Sequence, residues 1–572
     1  MITGAQLFVK ALKEENVDVL FAYPGGQAID MFDALYDDDT INVVLPRHEQ
    51  GLAHAADGYA RSSGKAGVCL VTSGPGATNL VTAIATANYD AVPLVCFTGQ
   101  VPTTLMGKDA FQEANIVDIV KSITKYAVTV RNRESLGEII RRAFYIAQSG
   151  KPGAVLVDIP KDIQQQLGKE EYCSSAKLRA EATSKKSQIN LIRKAFELLE
   201  AAKRPLLLAG GGVRIARAEK QLSKFAELTG IPVVTTIMGK GGIPSDSLLY
   251  YGNVGIHGSF GANKAIEECD LLLSIGSRFN DRVAGAKQNF AKNAKIIHID
   301  IDHSPISKNF RVDLPIVADA KQILSQALAR ARTLDISEWR KELDELRSAY
   351  PVKIDSDKLN PQDIIQKLNT VFDDVIVATD VGQNQLWTTQ FLKLNESRRL
   401  LTSGGFGTMG YGLPAAIGAK IANPNTPVIA IVGDGGFQMN VQELATAVIN
   451  GLPIIICLFN NGWLGNVRQW QELYYGKRYQ STCLRRRTNC PKQCKEMQEC
   501  PKYVPNFQKL ADSYGVKYKM ITNKDEIDDA FSFAMQQTDV STLLEFMIEE
   551  EENVYPIVLP GKDLSTVKFG KE

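Results

Sequence analysis

No apolar run in these 572 residues approaches the ~18 that a membrane-spanning helix needs. Charge of one sign is missing too. Sixty-five Lys and Arg against 64 Asp and Glu leave a formal net charge of +1, so no whole-chain field draws the protein to nucleic acid or an anionic membrane. The N-terminal stretch MITGAQLFVKALKEENVDVL has neither the apolar core of a signal peptide nor the Arg/Ser-rich character of a transit sequence. Leu7, Phe8, Ala11 and Leu12 share one helical face, and VDVLFAYP reads as a strand, so the fold is expected to begin near residue 1 of a cytoplasmic protein. Short-period repeats and low-complexity tracts are absent. Of nine cysteines, Cys69, Cys96, Cys173, Cys269 and Cys457 are scattered, mostly in apolar contexts that suit buried reduced thiols.

What is present is ordinary for a globular chain: 44% apolar and 23% charged residues. Strand-like runs alternate with helical patterns: AGVCLVTSG, VPLVCFTG, GAVLVDIP, RPLLLAGGG, IPVVTTIMG, LLLSIGSRF, KIIHIDID, VIVATDVG, PVIAIVGDG, LPIIICLFNN and STLLEFMIE. Such alternation predicts an α/β protein of three doubly wound parallel-sheet domains. Polar stretches near 168–187 and 330–358 read as linkers, which places domains at 1–170, 185–345 and 358–548 and a tail at 549–572.

PVIAIVGDG is a strand entering a glycine turn, MNVQELATAVING has helical spacing, and LPIIICLFNN is the next strand. In a βαβ unit both strands run parallel, so Asp434 and Asn460–Asn461 fall together at the carboxyl edge, where open α/β sheets bind ligands. Glycines beside Asp434 let backbone approach a phosphate. A carboxylate and a carboxamide oxygen suit Mg²⁺ shared with a diphosphate, because two protein ligands are too few for a closed cage. The same residues would also serve as plain turns in any α/β protein.

GDG followed by NN one strand later resembles the thiamin diphosphate motif. YPGG (23–26), LPRHEQGLAHAADGYAR (45–61), SGPGATN (73–79), GKDAFQEANIVDI (107–119), VDIPKD (157–162), IHGS (256–259), GSRFNDRV (276–283), DVGQNQLW (380–387), SGGFGTMGYGLPAAIGA (403–419), LGNVRQWQELYYGKRY (464–479) and ENVYPIVLPG (552–561) resemble, collinearly over nearly the whole chain, the large catalytic subunits of acetohydroxyacid (acetolactate) synthase. The resemblance implies a transferase that decarboxylates pyruvate. It passes the two-carbon hydroxyethyl unit to a second pyruvate or to 2-oxobutanoate, beginning branched-chain amino-acid synthesis. It implies thiamin diphosphate, Mg²⁺ and FAD as cofactors. A homodimer or dimer of dimers, with Glu49 and Asp434 from different subunits in one site, and a small regulatory subunit as possible partner follow in the same way.

Residue by residue, Glu49 in RHEQG matches the glutamate whose carboxyl favours the imino tautomer of the aminopyrimidine; taken alone it reads as a solvated helix residue. Met409 matches the apolar wedge beneath the cofactor. Gln383, Gly407, Thr408, Gly435 and Gly436 would line the cofactor beside Asp434 and Asn461, and Trp463 would lend the metal its backbone carbonyl. GFGTMG also fits GxGxxG, but RRLLTS is a poor strand to precede a dinucleotide fingerprint. Gly26, Phe111 and Gln112 match residues around the reacting carbonyl, where a polar group steadies oxyanion charge. Lys161, in VDIPKD, joins them as a substrate residue. Arg278 matches the guanidinium for the second substrate's carboxylate. Trp470 matches the residue favouring 2-oxobutanoate, a choice worth about 1–3 kcal/mol per methylene. Gly210, Gly211, Gly212, Thr236, His257, Arg282, Asp300 and Asp319 match the FAD site, where the flavin would be structural because the reaction has no net redox change. Considered singly, an exposed Gln, a surface Arg, a core Trp and a packed His are the plainer readings of Gln112, Arg278, Trp470 and His257.

Three residues depart from the family pattern: Ile256 and Asn466 stand where Met is usual, and Asn384 where His is usual. STCLRRRTNCPKQCKEMQECPKYVPNF (481–507) is far longer than the family's segment. Its Cys483, Cys490, Cys494 and Cys500 fit Zn²⁺ or an iron–sulfur cluster, a redox switch, or a basic insertion that binds nothing. Sulfoacetaldehyde acetyltransferase, pyruvate oxidase and a FAD-free catabolic acetolactate synthase share this architecture, but RQWQ, AFQE and GSRFNDRV argue against each. Retention of Glu49, Asp434 and Asn461 together argues against a regulatory homologue without catalysis.

Overall fold

The computed structural model describes residues 1–172, 185–286, 289–354, 356–395, 399–491, 500–559 and 561–570, with backbone alone over 185–188. Eighteen strands form three six-stranded sheets, parallel throughout. The first holds β1 (Val19–Ala22), β2 (Asn42–Val44), β3 (Gly67–Val71), β4 (Leu94–Gln100), β5 (Tyr126–Thr129) and β6 (Ala154–Pro160) in the order β2-β1-β3-β4-β6-β5. The second holds β7 (Pro205–Ala209), β8 (Val233–Thr235), β9 (Tyr250–Asn253), β10 (Leu271–Ile275), β11 (Lys295–Asp300) and β12 (Leu314–Val317) in the order β9-β8-β7-β10-β11-β12. The third holds β13 (Ile376–Thr379), β14 (Arg399–Leu401), β15 (Val428–Gly433), β16 (Ile454–Asn460), β17 (Lys517–Ile521) and β18 (Thr542–Met547) in the order β14-β13-β15-β16-β18-β17.

The first and third sheets thus repeat one topology. The middle sheet has the different order typical of dinucleotide-binding doubly wound domains, with its switch point between β7 and β10. Strands such as β7, β15 and β16 are apolar at nearly every position because helices cover both faces.

Helix α1 (Glu49–Ser63) of the first domain packs on α2 (Gly412–Ala422) of the third. A Cβ on Gly58 would collide with the Ala415 carbonyl, and one on Gly418 with that of Ala55, so glycine lets the two backbones touch. One apolar core runs through both domains. It carries a buried polar seam, in which Arg61 pairs with Asp57 at 2.6 Å and Asp90 at 3.0 Å, and the Tyr411 hydroxyl donates to Asp57 at 2.7 Å.

The charged region from 330 to 358, expected to be a linker, contains a helix, Ser337–Ala349. Its Trp339 and Leu343 are buried in the middle core, and the Trp339 Nε1–H donates to the Pro205 carbonyl at 3.1 Å. Two apolar residues at helical spacing suffice to dock an otherwise charged helix. The tail crosses back over the middle domain, where Leu564 enters the core and Phe569 stacks on Tyr350. Cys69, Cys96, Cys269 and Cys457 are buried and in no disulfide. Cys173 lies outside the described residues. No helix among the described residues is long and apolar enough to cross a membrane.

Candidate active site

The β15–β16 register pairs Gly433 with Phe459, which brings Asp434 beside Asn460 and Asn461. Asp434 is buried, accepts from the backbone N–H of Gly435 at 3.1 Å and of Gly462 at 2.9 Å, and is hydrogen-bonded by the Tyr503 hydroxyl. Burial nonetheless pushes its pKa up to about 7, because desolvation disfavours the charged carboxylate. Asn461 Oδ1 accepts from Trp463 N–H at 3.0 Å, and its Nδ2 donates to Gln383 Oε1 at 3.2 Å. Asn460 turns away and donates to Glu545 at 2.6 Å. These hard oxygens, gathered at a carboxyl edge with backbone N–H groups around them, have the chemistry that Mg²⁺ and a diphosphate require.

RRLLTS does form a strand, β14, though only at the sheet edge. The GFGTMG that follows is a loop, since α2 begins only at Gly412, so the dinucleotide fingerprint fails on its helix rather than its strand. Ser403 Oγ accepts from Gly407 N–H at 3.1 Å and Thr408 N–H at 3.0 Å, Gly407 takes φ +76°, and Thr408 meets Thr86 hydroxyl to hydroxyl at 2.6 Å. Met409 Cε lies 3.8 Å from where a Gly435 Cβ would stand, and a Cβ on Gly436 would strike the Asp380 carboxylate. Asp380 organises the whole loop: buried, it accepts from the backbone N–H of Val381 at 2.8 Å, and of Gly410 and Gly412 at 3.0 Å. Sequence reasoning passes over Asp380. Its only signal is an acid at a strand end with glycines to follow.

A second cluster gathers at the carboxyl ends of β1 and β3. The Gly26 carbonyl accepts from Lys161 Nζ at 2.7 Å, and Lys161 stands 3.4 Å from Asp30. Glu49 opens α1, and its Oε2 accepts from Asn79 Nδ2 at 2.9 Å. The two residues before it donate their backbone N–H groups, at 3.1 Å each, to the buried Glu443 of helix α3 (Glu443–Ile449) in the third domain. Gln112 holds the left-handed φ of +57°, which is uncommon for a residue other than glycine. Phe111 beside it is 83% exposed.

A cavity of about 1290 Å³ opens at the switch point of the middle sheet. Gly211, Gly212, Thr236, His257, Arg278, Arg282, Asp300, Asp319 and Trp470 line it. Gly210 does not: a Cβ there would collide with the Gly276 carbonyl, so its glycine serves the crossing of two backbones rather than the cavity. Thr236 and Asp319 also cap helices, accepting from Gly239 N–H at 3.1 Å and Gln322 N–H at 2.9 Å. Arg282 stacks over Trp470 with its guanidinium carbon 5.5 Å from the ring centre, and Arg278 over Tyr89 at 5.3 Å. Burial holds His257 down at about 4 and raises Asp300, and His257 Nδ1 has no hydrogen-bond partner among the described residues. The volume exceeds the ~300–1,000 Å³ of small-ligand pockets, and with two guanidiniums and an orphaned imidazole nitrogen it suits FAD.

Of the cysteine-rich segment, the described ends press on the first cluster. Trp463 bridges Cys483 in antiparallel fashion, Leu484 N–H donates to Gly462 O at 2.9 Å, and Arg485 pairs closely with Glu550. At the far end Tyr503 reaches Asp434 and also accepts from Gln438 Nε2 at 2.9 Å. Cys494 lies outside the described residues, among which no group of three or more His, Cys, Asp or Glu side chains is placed to hold a metal.

Residues 2–120 match the N-terminal TPP binding domain of thiamine pyrophosphate enzymes, 192–327 the central domain and 380–546 the C-terminal TPP binding domain. The chain is 44% identical to a probable acetolactate synthase large subunit of Methanococcus aeolicus, over 99% of this chain and 95% of that protein. It is 45% identical to the corresponding protein of Methanocaldococcus jannaschii, over the same shares. To the acetolactate synthase large subunit of Corynebacterium glutamicum it is 43% identical, over 99% of this chain and 90% of that one.

Proposed function

This chain belongs to the thiamine pyrophosphate enzymes, among the acetolactate synthase large subunits, and from that membership we propose how its own residues carry the reaction. Pyruvate loses CO₂, and its remaining two carbons join the carbonyl carbon of a second pyruvate, giving 2-acetolactate, or of 2-oxobutanoate, giving 2-aceto-2-hydroxybutanoate. The observation that carries this reading is the convergence of Asp434, Asn461 and Gln383 at one sheet edge within the matched C-terminal TPP binding domain.

Thiamin diphosphate supplies the electron sink that decarboxylation needs. Asp434 and Asn461, with the Trp463 carbonyl, hold Mg²⁺ against its diphosphate. Gln383, Gly407, Thr408, Met409, Gly435 and Gly436 shape the surrounding bed. Glu49, its orientation set by Asn79, holds the proton that the aminopyrimidine shares. Gly26 and Gln112 stabilise charge at the reacting carbonyl, while Phe111 and Lys161 border it. Arg278 takes the second substrate's carboxylate and Trp470 packs its side chain. FAD fills the middle cavity against Gly211, Gly212, Thr236, His257, Arg282, Asp300 and Asp319. Phe111, 83% exposed in the single chain, supports a dimer in which a partner's third domain covers the second cluster. A small regulatory subunit is a further expected partner.

The test is acetolactate formation from pyruvate with and without thiamin diphosphate and Mg²⁺. Product that depends on both supports the reading, and its absence from cofactor-loaded protein overturns it. Glu49→Gln should lower turnover by about 10²-fold or more, typical of lost acid–base help.

A further inference from the structure

Gln112 lies in a stretch without helix or strand, residues 107–115, so its place depends on what holds that loop. The loop closes on itself, because the Glu113 carboxylate accepts from the backbone N–H groups of Gly107 and of Ala110, the latter at 3.1 Å. It also leans on the SGPG turn. A Cβ on Gly74 would stand 2.8 Å from the Gln112 carbonyl oxygen, and one on Gly76 would stand 3.4 Å from Glu49 Oε1. Gln112 and Glu49 are thus gathered at one turn.

The loop's return to the first sheet is held by a buried carboxylate that has no part in the reaction as described above. Asp158 lies on β6, in register with Thr98 of β4 and Thr129 of β5, and is 1% exposed. Its Oδ1 accepts from the Thr98 hydroxyl at 2.7 Å, and its Oδ2 from the Thr129 hydroxyl at 3.1 Å and from Gln100 Nε2 at 3.0 Å. The same Gln100 Nε2 donates to the Ala114 carbonyl at 2.8 Å, and Gln100 Oε1 accepts from Val101 N–H at 2.9 Å. A carboxylate only accepts, so it fixes which end of the buried Gln100 amide faces it. Turned over, the amide would set its oxygen against both the carboxylate and the Ala114 carbonyl, at the cost of two buried hydrogen bonds.

We propose that Asp158, acting through Gln100, is the positioning residue for Gln112: it pins the Ala114 carbonyl and so holds the loop where the Gln112 side chain meets the reacting carbonyl. The inference rests on the reading of Gln112 as the group that steadies charge there.

The experiment follows two rates on the cofactor-loaded enzyme. One is acetolactate formation from pyruvate; the other is deuterium uptake at the acidic ring carbon of bound thiamin diphosphate, which calls on Glu49 and not on Gln112. Asp158→Val and Gln100→Leu should each lower kcat by about tenfold or more, the scale of a catalytic group held slightly out of place, with KM little changed and deuterium uptake at the wild-type rate. Asp158→Asn should retain most of the activity, because its oxygen can still face Gln100 while its amide donates to the Thr98 hydroxyl. The double variant Asp158→Val with Gln100→Leu should lose no more than Gln100→Leu alone, since both break one path. Where Asp158→Val does not fold, Gln100→Leu carries the test. An equal fall in both rates, as a loosened first domain would give, overturns the inference, and so do an unchanged kcat or additive losses. No acetolactate from the wild-type enzyme overturns the parent reading and this inference with it.

Discussion

Tyr503 shows how a single hydroxyl ties an unusual segment to the chemistry. It hydrogen-bonds the Asp434 carboxylate and accepts from Gln438, although it lies 69 positions along the chain from the first and belongs to the cysteine-rich stretch. Groups that orient a metal ligand from behind commonly matter about 10–100-fold for metal affinity. With Asp434 proposed as a Mg²⁺ ligand, Tyr503→Phe should therefore raise the Mg²⁺ concentration needed for half-maximal activity by about tenfold, with turnover at saturating Mg²⁺ changed far less. A Mg²⁺ titration of acetolactate formation checks both halves of that expectation. No sequence pattern marks Tyr503, because its partner is chosen by the return path of the chain. Asp434 and Asn461 are different: their spacing across one βαβ unit places them, and the register of β15 and β16 follows from it.

Among elements, the crossing of α1 and α2 is the contact on which the relation of the first and third domains depends. Gly58 and Gly418 bring the helices into backbone contact, and Leu52, Ala55, Ala56, Ala415, Ala416 and Ala419 are buried around them. Gly418→Ala drives a methyl group into the Ala55 carbonyl and should destabilise the protein by about 1–3 kcal/mol, the usual cost of overpacking, as read from urea unfolding. Strands show a comparable division. The interior strands of each sheet are continuous apolar runs and are legible as such. The edge strands β2, β5, β9, β12, β14 and β17 are not, since each has a neighbour on one side only and less of its surface is buried. Arg399–Leu401 and the charged helix Ser337–Ala349 escape sequence reading for the same reason, because their burial is partial and supplied by distant elements.

For the whole molecule, the pH dependence of stability sets buried imidazoles against buried carboxylates. His54 lies in the core between the first and third domains, against the Tyr411 ring, and burial lowers its pKa from 6.5 to about 4. His257 is lowered alike. The unfolded chain takes up a proton as pH falls through about 6.5 while the folded protein does not. The contribution of each histidine to stability is therefore full above that pH and declines toward pH 4, by about 1.4 kcal/mol per unit. Asp434 and Asp158, raised to about 7 and about 6 by burial, bind protons in the folded state over the same range and work the other way. The His54 share is therefore read as a difference: the gap in urea midpoint between the cofactor-free wild type and His54→Gln should shift against the wild type from pH 7 to pH 5.

Reaction class and the meeting of Asp434 with Asn461 at one sheet edge were determined by the sequence itself, because collinear motifs carry the first and local spacing within one βαβ unit places the second without reference to the rest of the chain. The same holds for the interior strands, whose apolar runs reflect burial on both faces. The tertiary structure alone decided the strand orders, the service of Gly210 to Gly276 instead of the cavity, the hold of Asp380 on the 405–410 loop, and the reach of Tyr503 to Asp434. Each of these joins residues far apart in the chain. Such contacts depend on how packed layers bring loops together, and local spacing carries no record of that.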